Sequence, residues 1–320
     1  MQYAETVDPD PTACAPVVGR FAPSPTGRMH AGNIYAALIA WLVAKSQGGN
    51  IVLRIEDLDR QRSKRCYIDQ VQRDFQLLGL TWDEGPYYQS DRNEAYESAF
   101  KTLGLTNELY PCYCTRADLH AASAPHQGET FVYPGTCRLL SAAERAEKAR
   151  KKDPAVRIKV PHERFGVVDE LQGDYSEVLD ADCGDFVIRR ADSSFAYQLA
   201  VVVDDAAQGV NSVVRGFDLL PSTPQQLFLQ RELGYATPRY FHIPLLVAPD
   251  GRRLSKRDQD ASLEVLLQRF LYAEGIIGHV AWLARLIDFD EPLSTADLLP
   301  EFSLARLHER LAGVEAIVWS

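Results

Sequence analysis

The sequence predicts an α/β protein: a parallel sheet split by an inserted lobe and followed by a short helical region. Three observations carry that prediction. Residues 17–57 run strand, helix, strand in their apolar pattern, as a βαβ unit does. A similar pattern resumes near residue 196, after a stretch punctuated by Pro, Gly, Cys and Tyr. The chain has 320 residues, 46% of them hydrophobic, which suffices for one large or two modest domains with a sizeable core.

Taken in order, residues 17–21 read as the first strand. Residues 32–47 read as a helix with an apolar stripe at Ile34, Leu38, Trp41 and Leu42. Residues 51–55 form a second strand that ends in the acidic run Glu56-Asp57-Leu58-Asp59. Parallel strands joined by a helix place ligand-binding loops at the carboxyl ends of the strands. Helices are predicted at 65–78 and 91–103. Between 110 and 161 short pieces surround an Ala/Glu/Lys/Arg helix at 141–152, and we take 110–190 as the inserted lobe. Residues 196–203 are an apolar strand or a buried helix, closed by Asp204-Asp205. A strand at 212–215, a helix at 223–233 and a strand at 242–248 follow. Residues 262–320 read as mostly helical, with Trp282, Leu283 and Leu286 and then Phe302, Leu304 and Leu307 on short amphipathic helices. The expected division is a loosely ordered leader at 1–16, halves of one catalytic domain at 17–109 and 191–261, the lobe at 110–190 and a helical region at 262–320.

No run approaches the roughly 18 apolar residues of a membrane span. The first 18 residues lack a basic start and an apolar stretch, which argues against a signal peptide. The net charge is −10, so contact with nucleic acid would need local cations. They cluster at Arg60, Arg62, Lys64 and Arg65, at Arg145, Lys148, Arg150, Lys151 and Lys152, and at Arg252, Arg253, Lys256 and Arg257. Each run is either a solvated face or an RNA contact. Six cysteines without paired spacing suggest reduced thiols and a cytoplasmic location. Cys112, Cys114 and Cys137 are grouped, either as metal ligands or as ordinary thiols.

Two segments carry the chemistry. Gly19-Arg20-Phe21-Ala22-Pro23-Ser24-Pro25-Thr26-Gly27-Arg28-Met29-His30-Ala31-Gly32-Asn33 reads as a strand, a turn and the opening of a helix. That arrangement aims backbone N–H groups and a helix dipole at an anion. Arg252-Arg253-Leu254-Ser255-Lys256-Arg257-Asp258 is a compact basic loop. Together they resemble the His-x-Gly-His and Lys-Met-Ser-Lys-Ser signatures of class I aminoacyl-tRNA synthetases, in the forms found in glutamyl enzymes. Asn33 stands for the second His, and Arg253 for the first Lys.

That resemblance implies a class I synthetase Rossmann-type parallel sheet with an inserted zinc-containing lobe. It implies ATP, with Mg2+, held by Pro23, Thr26, Gly27, His30, Gly32, Asn33, Ser255 and Lys256. The catalytic residues would be His30, donating to charge that develops on the α-phosphate, and Lys256, a point cation for the departing pyrophosphate. It implies a glutamate site of Arg20, Phe21, Ala22, Pro23, Ser24, Glu56, Tyr197 and Arg215. A guanidinium there would bind a carboxylate in bidentate fashion, and Glu56 would pair with the α-ammonium. Residues 197–205 and 215–220 look much like the glutamyl-enzyme sequence, except that Phe217 stands where those enzymes usually carry Glu.

Cys112-Tyr113-Cys114 followed by Tyr133-Pro134-Gly135-Thr136-Cys137 resembles the zinc site of glutamyl-queuosine tRNA(Asp) synthetases. By that resemblance Cys112, Cys114, Tyr133 and Cys137 hold one structural Zn2+, with His126 or a water as alternatives to Tyr133. About 60 residues follow the Ser-Lys loop, too few for an anticodon-binding domain of typical size. The expectation is therefore a monomeric ligase that activates L-glutamate with ATP, without tRNA, and transfers it to the queuosine base of tRNA(Asp). Two rivals remain: a minimal glutamyl-tRNA synthetase that charges a 3′ end, and a catalytically silent paralogue that binds a tRNA or a protein.

Overall fold

The computed structural model describes residues 15–115, 118, 132–252, 254 and 262–319. Strand β1 (Val18–Phe21), helix α1 (Ala31–Lys45), strand β2 (Asn50–Ile55), helix α2 (Arg65–Leu77) and strand β3 (Glu84–Tyr88) open the fold. The three strands form a parallel sheet in the order β1-β2-β3. Helix α1 is buried on nearly every face, because it is wedged between this sheet and the C-terminal helices. Its expected stripe of Ile34, Leu38, Trp41 and Leu42 is only part of that buried surface. A 3-10 turn at Gln89–Asp91 leads into α3 (Asn93–Thr106).

The lobe that follows contains β4 (Leu109–Cys112), α4 (Ala142–Ala149), β5 (Ala155–Ile158), β6 (Arg164–Asp169), β7 (Gly173–Val178), a short α5 (Leu179–Asp182) and β8 (Phe186–Arg189). Strands β4, β5 and β8 form an antiparallel sheet, and β6 and β7 a separate hairpin. Helix α4 buries no residue. It is held by a capping box in which Ser141 and Glu144 satisfy each other's backbone N–H groups.

A second parallel pair follows α6 (Tyr197–Ala207): β9 (Ser212–Gly216) and β10 (Arg239–Ile243), joined by α7 (Thr223–Leu233). Asn211 ties this pair to β1. Its backbone N–H donates to the Val18 carbonyl at 3.0 Å. Its side-chain oxygen accepts from the Val18 N–H at 2.8 Å. Strands β11 (Leu245–Val247) and β12 (Ala316–Val318) pair in parallel around α8 (Leu263–Phe270), α9 (Ala273–Leu283), α10 (Thr295–Glu301) and α11 (Leu304–Leu311). No helix among the described residues is long and apolar enough to cross a membrane.

One open reading is decided and two expectations change. The run at 196–203, a strand or a buried helix by sequence, caps and opens helix α6; a short apolar run buried on all sides has no period that separates the two. The strand expected at 242–248 is two strands, broken at Pro244, which has no N–H to continue a ladder. Strand β3, with Gly85 and Pro86 inside it, carries no strand signature and was not expected.

Candidate active site

The turn after β1 is tied to the end of β2. The Glu56 N–H donates to the Pro23 carbonyl at 3.0 Å, and the Thr26 N–H to the Ser24 carbonyl at 2.8 Å. His30 then caps α1. The Gly32 N–H donates to His30 Nδ1 at 3.1 Å, and the His30 N–H to Asn33 Oδ1 at 3.2 Å. Because Nδ1 accepts, the neutral ring carries its proton on Nε2, a donor. A Cβ at position 32 would meet His30 Cε1 at 3.1 Å and Nδ1 at 3.2 Å, so glycine lets the ring fold onto the helix start. The Asn33 oxygen is committed to the His30 backbone, which leaves its NH2 as the donor at the cavity wall.

A cavity of about 500 Å³ opens beside this cap. Pro23, Thr26, Gly27, His30, Gly32 and Asn33 line it on one side. Arg20, Phe21, Ala22, Ser24, Glu56, Tyr197 and Arg215 line the rest. Leu254 also lines it, and Ser262 forms a bridge with His30. Ser255 and Lys256, expected between those two positions, lie outside the described residues.

Beneath the cavity runs a buried ionic network. Arg54, fully buried in β2, donates to Asp205 Oδ1 at 2.7 Å and Gln208 Oε1 at 2.8 Å, and lies 3.4 Å from Glu56 and 3.9 Å from Asp204. Arg20 Nε sits 3.3 Å from Asp205, while its Nη1 donates to the Val214 carbonyl. Asp204 also accepts from Arg92, Gln89 and Tyr96. Three guanidiniums thus face three carboxylates: Arg20, Arg54 and Arg92 against Glu56, Asp204 and Asp205. Burial pushes the Glu56 carboxyl above the usual carboxylate range, against the pull of Arg54 and Arg20.

Arg215 is a different kind of cation. It is 5% exposed, and among the described residues no carboxylate pairs with it. It donates instead to neutral acceptors: His242 Nε2 at 2.9 Å, Gln226 Oε1 at 2.8 Å and Thr223 Oγ1 at 2.9 Å, with the Tyr197 hydroxyl at 3.5 Å. A buried guanidinium held by dipoles, at the wall of a cavity, has room in its electrostatics for one anion.

A second cluster lies in the inserted lobe. The sulfurs of Cys112, Cys114 and Cys137 all lie within 4.8 Å of one another. The Tyr133 hydroxyl is 3.6 Å from Cys112 Sγ and 3.9 Å from Cys114 Sγ. Zinc at about 2.3 Å from each sulfur in a tetrahedral site implies sulfurs about 3.8 Å apart. The 3.5 Å between Cys114 and Cys137 fits that donor set. Arg157 lies against it, with Nε 3.2 Å from Cys112 Sγ and its guanidinium 3.7 Å above the Tyr133 ring. Burial raises the Cys112 thiol pKa, but the Arg157 hydrogen bond helps bring it below its ordinary value. Burial and Cys137 push Cys114 up to about 12. His126, the alternative fourth ligand, lies outside the described residues.

Residues 16–269 match the family described as tRNA synthetases class I (E and Q), catalytic domain. A glutamyl-Q tRNA(Asp) synthetase of Symbiobacterium thermophilum is 47% identical over 301 residues, which cover 90% of this chain and 93% of that protein. The chain belongs to the glutamyl-Q tRNA(Asp) synthetase family. Another glutamyl-Q tRNA(Asp) synthetase, from Nitratidesulfovibrio vulgaris, is 43% identical over 303 residues, covering 91% of this chain and 94% of that protein. The crystal structure of a glutamate-tRNA synthetase from Elizabethkingia anophelis superposes with a TM-score of 0.78 at 26% identity, covering 95% of this chain and 68% of that one.

The cavity gathers every expected ATP and glutamate residue that is described. Sequence reasoning missed Arg54, Asp204, Asp205, Asp169, His242 and Arg157. One signal was available for the first: a lone Arg inside the apolar run Ile51-Val52-Leu53-Arg54-Ile55.

Proposed function

We propose that this chain activates L-glutamate with ATP and transfers it to the queuosine base of tRNA(Asp). The observation that carries the glutamate reading is Arg215, a buried guanidinium that has no carboxylate partner among the described residues, in a cavity shared with His30 and Glu56. Glutamate brings a net charge of −1 to that site, and glutamine brings none. A neutral amide would leave the buried cation uncompensated, at a cost of about several kcal/mol.

On this reading the side-chain carboxylate meets Arg215 and Arg20, and the α-ammonium meets Glu56. A substrate α-carboxylate oxygen attacks the α-phosphorus of ATP, and the bond to pyrophosphate breaks. His30 Nε2–H donates to the charge gathering on the α-phosphate, and Lys256 offsets the charge on the departing pyrophosphate. Mg2+ accompanies the nucleotide. A hydroxyl of the queuosine diol then attacks the acyl carbon, and AMP leaves. An anticodon-loop base can be splayed into a cavity, which suits a modified base as acceptor. ATP-side and amino-acid-side residues line one cavity of a single chain, which supports activation before RNA arrives and a monomer as the active unit.

Cys112, Cys114, Cys137 and Tyr133 would hold one Zn2+ that cross-links the lobe and takes no part in the chemistry. The composition and the reduced cysteine group favour a cytoplasmic enzyme.

Pyrophosphate exchange without tRNA tests the first half: glutamate should support it, and glutamine should not. Lys256→Ala should lower exchange by about 10²-fold or more. Glutamylation of tRNA(Asp) with and without queuosine tests the second half. Equal labelling of both, or efficient charging of tRNA(Glu), would return the chain to the glutamyl-tRNA synthetase reading. No exchange with any amino acid would favour a silent binding protein.

A further inference from the structure

Arginine Nε–H can only donate, so His242 Nε2, 2.9 Å from Arg215 Nε, must accept. The imidazole proton is therefore on Nδ1, which lies 2.6 Å from Asp169 Oδ2. The ring is fully buried and stacked on Tyr240, whose ring also lies 5.1 Å from the Arg215 guanidinium carbon. Asp169 comes from the far end of the lobe hairpin, at the turn between β6 and β7. Every contact on its carboxylate is a donor. Oδ1 accepts from the N–H of Leu171 at 3.0 Å and of Gln172 at 2.9 Å, and both oxygens face the N–H of His242. Arg215 spends three of its five N–H groups on His242, Gln226 and Thr223; a fourth, on Nη1, makes only a long contact of 3.5 Å to the Tyr197 hydroxyl, and one on Nη2 is left.

We propose that Asp169 and His242 are positioning residues for amino-acid recognition: by fixing one imidazole tautomer, they orient the Arg215 guanidinium toward the substrate carboxylate. The proposal rests on the glutamate reading above. It adds that a turn of the inserted lobe, remote in sequence from the site, sets how tightly the amino acid is held.

The substitution Asp169→Asn separates this from a packing role. An amide cannot accept at both oxygens. The least costly arrangement turns its NH2 toward His242 Nδ1, which drives the imidazole proton to Nε2 and sets two donors head-on at Arg215. The glutamate KM should rise by about tenfold or more, while the ATP KM should stay within about twofold. His242→Gln keeps an oxygen acceptor near the Nε2 position and should be milder than His242→Phe, which keeps bulk without an acceptor.

Both KM values are read by pyrophosphate exchange, with thermal melts as the check on folding. Equal rises in the two KM values, or identical losses in His242→Gln and His242→Phe, would reduce the pair to packing. Imidazole 15N shifts of the wild type give a test that needs no variant: they should show the His242 proton on Nδ1, and a proton on Nε2 overturns the proposal. An active wild type with an unshifted glutamate KM in Asp169→Asn sinks this inference alone. A wild type that shows no glutamate-dependent exchange sinks the glutamate reading and this inference with it.

Discussion

Replacing Arg54 by Met should destabilise the protein by about 3 kcal/mol. Arg54 is fully buried and touches three carboxylates. Breaking a buried ion pair from one side typically costs about 3–5 kcal/mol, because the partner stays in a dry site without compensation. Here the lower end applies. Asp205 keeps Arg20 at 3.3 Å, and Asp204 keeps Arg92, Gln89 and Tyr96. Glu56 loses most, since Arg54 is its only cation within 4.0 Å among the described residues. At about 2 cal/mol/K of unfolding entropy per residue, a loss of this size lowers Tm by about 4–5 °C. Urea denaturation measures it directly, as a shift in midpoint at unchanged slope. Adding Glu56→Gln should recover part of the loss, because the anion that depends on Arg54 then leaves with it, with a coupling above about 1 kcal/mol. A loss below about 1 kcal/mol, or strict additivity of the two substitutions, would show that this network does not hold the floor of the site.

The remaining predictions are briefer. Protonated Glu56 cannot pair with an ammonium, and burial raises its pKa, so the glutamate KM should climb as pH falls, beginning above the usual carboxylate range; Glu56→Gln should remove that pH dependence, and a profile unchanged by the substitution would refute the pairing. Gly32→Ala should leave stability within about 1 kcal/mol of wild type, since Ala favours a helix start, yet reduce pyrophosphate exchange by about tenfold by pushing the His30 ring aside; full activity would mean that the ring tolerates displacement. Cys137→Ser should lose bound metal and loosen the neighbouring lobe while leaving pyrophosphate exchange largely intact, as elemental analysis, limited proteolysis and the exchange assay would record; metal retained at wild-type stoichiometry would contradict the ligand set.

What was legible in the sequence was chemistry held within short segments. The stretch from Gly19 to Asn33 encodes strand, turn and cap in consecutive residues, so its reading needs no tertiary information. The Cys-x-Cys and Tyr-x-x-x-Cys pieces are similarly local, and their four donor atoms do converge. The supports of the site were not legible. His242 and Asp169 lie 73 positions apart in different parts of the fold, and no periodicity links them. Asp204-Asp205 looked like polar residues closing an apolar run, but the run is a helix and the pair is its buried ionic face. Pro244 is a strand breaker visible in the sequence, but apolar residues on both sides give the run the look of one strand. Ser255, Lys256 and His126 fall outside the described residues, so the basic loop and the alternative zinc ligand rest on the sequence.

The turn that carries Asp169 has a mechanical consequence. Besides gripping His242, its Gln172 amide donates to the carbonyls of His242 and Val314. The Leu171 carbonyl accepts from the Gly313 N–H, and the Glu170 carbonyl accepts from His308. Four consecutive residues therefore fasten the lobe hairpin, the strand beneath the cavity and the C-terminal helices at one knot. Loosening any of the three means breaking bonds shared with the others. Amide hydrogens around this knot should exchange with solvent as one cooperative unit, and a load applied to the lobe would be felt at the cavity as a change in tension instead of a separate local motion.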